Sequence, residues 1–166
     1  IGSSISYGSG LDSSYVGVSS LKGSFSDTLD LVIESLENPL FEDSEISRLQ
    51  KQRLAGIKQE ENQPSAIAYR KIGKILYGEN HPYGKPLTGT GTTETIENIS
   101  RDALVEVYKR VINSNNASYL IVGNINLEEA KDMLESKFGN WESEASPQKL
   151  SLFNVDLPKS RKVYLI

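Results

Sequence analysis

Between about Glu42 and Gln63 the apolar residues Ile46, Leu49, Leu54 and Ile57 recur at the spacing of one helical face. At about 100° per residue, Arg53 and Glu60 fall on that same stripe, two turns apart. A helix patterned in this way must bury one face against something. A charge on the buried face then needs a partner, a metal, a substrate or a solvated pocket to offset its desolvation. Arg53 and Glu60 are therefore the first candidate site, read either as a structural ion pair at a partly solvated seam or as a pair lining a cleft.

The rest of the chain mixes strand and helix periods. SSISYG and SYVGVSSLK flank the turn-rich GSGLDSS and read as a β-hairpin, with Gly8 and Gly10 in its loop and Val16 and Val18 on one face. A helix is expected from about Ser26 to Glu37, carrying Leu29, Val32, Ile33 and Leu36 and stopped by Asn38-Pro39. Pro64 suits the first turn of another helix that runs to a cap at Gly78. From Glu79 to Ile99 no period emerges, and HPYGKP and GTGTTET read as a long ordered loop. Ser100 is placed to cap a further helix, ASYLIVG reads as a buried strand, and Asn126 with Glu129 has capping-box spacing ahead of a last helix. ESEASPQKLS is a polar linker, and RKVYLI reads as a final strand. This order lacks a strict βαβ repeat and points to an α+β fold. Ile1 at one end and a strand running to Ile166 at the other suggest a piece truncated at both ends.

Composition removes several classes of function. The net charge is −4 at pH 7 and the basic residues are dispersed, so no footprint for nucleic acid exists. No run approaches the roughly 18 apolar residues of a membrane span. The chain has no cysteine and a single histidine, His81, and so cannot assemble an ordinary zinc site from its own residues. His81 lies in His-Pro-Tyr-Gly, where bonding to loop backbone is its simplest role. GTGTTE lacks the Lys-Ser/Thr of a phosphate-binding loop, and no G-x-S-x-G elbow is present. Glu60 and Glu61 point about 100° apart and cannot act as a facing carboxylate pair.

The order of motifs nonetheless resembles a known family. SYGSGLDSSYVGVSSL, then LDLVIESLENPLFEDSEISRLQKQRLAGIKQEENQPSAIA, then HPYGKPLTGTGTTETIENISRDALVEVYKRVINSNNASYLIVGNI and a helix ending in FGNWE look like the insulinase or pitrilysin zinc metallopeptidases, the M16 family. The resemblance implies an α+β module, with an antiparallel or mixed sheet packed against helices. It places residues 1–98 in the later part of a first half, and 99–166 at the start of a second half.

Active modules of that family carry an HxxEH helix upstream of the hairpin and a third zinc ligand on the helix matching Glu42 to Gln63. There two glutamates stand seven apart and the second is the ligand. Here Glu60 matches the second position while Arg53 stands at the first, so Glu60 is the only family-matching ligand position. An arginine there would compete with a metal for the carboxylate. The resemblance thus implies a non-catalytic module with no catalytic residue and no metal of its own. Zinc would belong to the parent protein, on an HxxEH-bearing catalytic module in the same chain or a partner subunit, and the two modules would enclose a peptide substrate. The alternatives are an assembly subunit of the same fold without peptidase activity, or an unrelated peptide-binding domain that uses its hairpin edge. A bacterial periplasmic or envelope setting is compatible with the resemblance, and nothing in the residues fixes the compartment.

Overall fold

The computed structural model describes residues 2–141 and 160–165. These gather into two compact units that do not follow chain order: residues up to Phe41 combine with residues 102–141, while Glu42–Arg101 and the described residues 160–165 form the other. The linker ESEASPQKLS lies outside the described residues.

In the first unit, strands β1 (Ser4–Ser9) and β2 (Ser14–Ser19) form the expected antiparallel hairpin, with Ile5 opposite Val18 and Tyr7 opposite Val16. Gly8 is not a loop residue. It sits within β1 opposite Tyr15, whose ring occupies the space where a Cβ would project. Strand alternation then sets Ile5, Tyr7, Val16 and Val18 on one face. Tyr7 bonds to Ser35 at 2.5 Å, and because the Ser35 proton goes to the Val32 carbonyl, the tyrosine is the donor.

Helix α1 (Phe25–Glu37) buries Thr28, Leu29 and Val32 and stops at Asn38, ahead of Pro39 as expected. The buried Thr28 hydroxyl donates to the Ser24 carbonyl one turn back, at 2.6 Å. Phe41 ends this stretch at φ 50°, a left-handed conformation that a bulky residue adopts only when its surroundings hold it, and its ring meets Tyr108 edge-on at 5.4 Å. Tyr108 comes from α5 (Arg101–Val111), whose start directly follows Ser100, and its hydroxyl donates to the Leu36 carbonyl. The last helix, α6 (Leu127–Phe138), opens with the expected capping box: Asn126 accepts from the Glu129 amide and Glu129 accepts from the Asn126 amide. It packs on α1, with Lys137 paired to Asp30 at 2.6 Å.

Two expected strands are not formed. Residues 117–122 belong to no sheet, with Leu120 91% and Val122 90% exposed. The part of RKVYLI within the described residues is likewise unpaired, and Val163 and Leu165 are exposed. An extended segment satisfies its N–H and C=O groups only across a neighbour, and none of the described residues provides one. The described sheet therefore has two strands, and the structure is of mixed α and β class with helices predominating.

The second unit holds α2 (Asp43–Glu60), α3 (Pro64–Tyr77) and a short α4 (Thr93–Glu97). Acidic Asp43 and Glu45 lie in the first turn of α2, where the helix dipole favours them. Pro64 opens α3 and Gly78 closes it at φ 83°, both as expected. Helix α4 falls inside the stretch expected to be loop. Its signal was the Thr92/Thr95 spacing, since each threonine side chain bonds to the other's backbone amide. Among the described residues no helix is long and apolar enough to cross a membrane.

Candidate functional site

The inward face of α2 is rotated from the apolar stripe read in the sequence. The residues with reduced exposure are Ile46, Gln50, Leu54, Gly56, Ile57 and Glu60, while Leu49 and Arg53 are exposed. Gln50 displaces Leu49 from this face because its amide donates to the carbonyls of Ile96 and Ile99, at 3.0 and 2.9 Å, satisfying groups at the end of α4 that have no helical partner. Arg53 consequently projects to solvent.

Glu60 finds its counter-charge elsewhere. Nη1 of Arg70, nearly two turns into α3, lies 2.7 Å from Glu60 Oε2, and Thr90 Oγ1 donates to the same oxygen at 2.8 Å. Arg70 Nη1 also donates to Thr90 Oγ1 at 2.8 Å, and Nη2 donates to the Gly91 carbonyl at 2.8 Å. The Thr90 proton is committed to Glu60, so in the 2.7 Å contact between Thr88 and Thr90 the donor is Thr88. Protons thus point from Thr88 to Thr90 to Glu60, with Arg70 closing the cluster. The side chains of Arg70 and Glu60 are only 12% and 21% exposed.

Burial pushes the Glu60 carboxyl up, but the hydrogen bonds from Thr90 and Arg70, the Arg70 charge and the nearby Thr88 hydroxyl together outweigh it. Its pKa is lowered overall. A carboxylate held below its unfolded value, about 4.3, contributes stability that is complete above that value and is lost as pH falls through the lower folded value. The stability difference between the wild type and Glu60→Gln is therefore expected to be level near neutral pH and to shrink on acidification below about pH 4.5. Urea unfolding at a series of pH values measures it. A difference that stays constant into the acid range contradicts the assignment.

His81 does what its loop position suggested. Its Nδ1 accepts from the Tyr83 amide at 3.0 Å, which puts the ring proton of the neutral form on Nε2, and the ring stacks on Tyr77 at 4.9 Å.

Glu60 does not fit a zinc ligand in this setting. One carboxylate oxygen is already shared by a cation and a hydroxyl, and among the described residues no three histidine, cysteine, aspartate or glutamate side chains gather. Sequence reading missed Arg70, Thr88 and Thr90. Helical spacing relates residues of one helix, whereas this cluster spans a helix–helix turn and a distant loop.

The first unit offers a different feature, an open and largely apolar trough bounded by β2, α1, α5, α6 and the unpaired residues 117–122. Its volume of about 2370 Å³ exceeds the ~300–1,000 Å³ of small-molecule pockets.

Comparison with known families supplies the deciding observation: residues 98–166 match the model described as the peptidase M16 inactive domain. Residues 98–166 are thus similar to the peptidase M16 inactive domain. Within this matched segment lie α5, the unpaired run after it and α6. No curated protein matches the chain.

Proposed function

We propose that this chain is part of the non-catalytic module of a two-module zinc metalloendopeptidase of the M16 type, where it helps to enclose and bind a peptide. The observation that carries this reading is the match of residues 98–166 to a domain described as inactive. On the same reading residues 1–98 close a first half and 99–166 open the second. Peptide hydrolysis belongs to the companion module, whose HxxEH helix would hold zinc, polarise water and supply the general base. This chain contributes walls. The trough of the first unit supports that role, since it is too large and too open for a small molecule and its apolar lining suits an extended polypeptide.

The description as inactive also suits an assembly subunit of the same fold. One experiment separates the two. Peptide turnover by the catalytic module, assembled with and without this module at equal zinc content, is expected to fall at least about tenfold when the module is missing. Equal turnover contradicts substrate enclosure and favours the assembly role.

A further inference from the structure

We infer that Arg70 is a built-in counter-cation that takes the place a metal ion would need beside Glu60, and that it thereby locks the Thr88–Gly91 turn onto α2 and α3.

The turn is shaped by two left-handed glycines, Gly89 at φ 70° and Gly91 at φ 76°, and by a hydrogen bond from the Gly89 amide to the Pro86 carbonyl at 3.0 Å. Glycines fit this shape but do not enforce it, because they leave the unfolded chain more conformational freedom to lose on folding than other residues do. Enforcement comes from Arg70. One guanidinium nitrogen bridges Glu60 and Thr90 while the other holds the Gly91 carbonyl, so three chain segments meet on one planar group. A lysine could neutralise Glu60 but could not span these positions.

The cluster also decides what Glu60 can bind. Two donors converge on Oε2, and a guanidinium stands within hydrogen-bond distance of it, so an incoming divalent ion would meet a fixed positive charge and would have to displace it. Locking the turn also positions the next element. Thr92, directly after Gly91, caps α4, and Gln50 holds the far end of α4 on α2. Arg70 is thus a positioning residue for the turn and the start of α4 on α2 and α3, and this holds whether or not the parent cleaves peptides.

Backbone hydrogen exchange tests the lock. In Arg70→Gln the amides of residues 88–92 are expected to exchange at least about tenfold faster than in wild type, with the β1–β2 amides unchanged; Arg70→Lys should fall between. Unchanged exchange in the turn overturns the inference. Should Arg70→Gln fail to fold, Thr90→Val removes the hydroxyl bridge without touching a charge. Several-fold faster exchange confined to the turn then supports the lock, and no change overturns it. Equilibrium dialysis against zinc alone is expected to show no stoichiometric uptake that depends on Glu60. One zinc per chain in the wild type, lost in Glu60→Gln, would overturn the counter-cation role.

Discussion

Replacing Gly84 by alanine is expected to cost about 3 kcal/mol or more, at or beyond the upper end of ordinary overpacking. Gly84 is buried in the His-Pro-Tyr-Gly turn, and its amide donates to the His81 carbonyl at 2.8 Å. A Cβ at this position would overlap the carbonyl oxygen of Gly78, which is backbone and cannot swing aside as a side chain would. Gly78 in turn closes α3 at φ 83°, so moving it disturbs the end of that helix. The same turn presses on Gly73 of α3, where an added Cβ would overlap the Tyr83 carbonyl and come within 2.7 Å of the Lys85 carbonyl. Urea unfolding measures the effect. Gly56→Ala is the control, because a Cβ there meets nothing within 4 Å and the residue is inside α2, where alanine is favoured by about 0.5–1 kcal/mol. Equal behaviour of the two variants contradicts the close approach of the turn to α3.

Ile57→Ala is expected to be nearly as severe, at about 2–5 kcal/mol. Ile57 has no exposed surface and sits on the inward face of α2 between Leu54 and Glu60. Truncation removes three carbons from a filled site and leaves a cavity beside the Arg70 cluster. The loss should appear as a lower urea midpoint with an unchanged slope. A cost below about 1 kcal/mol would mean that the face is not packed as described.

What was legible in the sequence follows from where each element satisfies its backbone. Helices α1, α2, α3, α5 and α6 close their hydrogen bonds locally, so apolar spacing together with Pro64, Gly78 and the Asn126/Glu129 box located them closely. The β1–β2 hairpin was legible for the same reason, since its partner strand lies only a short loop away. Residues 117–122 and RKVYLI have strand-like composition, but composition states a preference and cannot supply a neighbour. Arg53 was drawn into the buried stripe because Leu49 was counted as core. Gln50 won that place through two carbonyls some 46 and 49 residues away, which no local period records. Arg70 escaped notice because its partners lie on two other segments, Glu60 on α2 and Thr90 and Gly91 in a distant turn.

The non-catalytic assignment is tested most directly by locating the HxxEH motif in the parental reading frame. The account predicts that the motif is absent from the stretch directly upstream of the β1–β2 hairpin and lies instead in a distant module of the same chain or in a separate subunit. An HxxEH helix directly upstream of the hairpin, with zinc held jointly by that helix and Glu60, would contradict it.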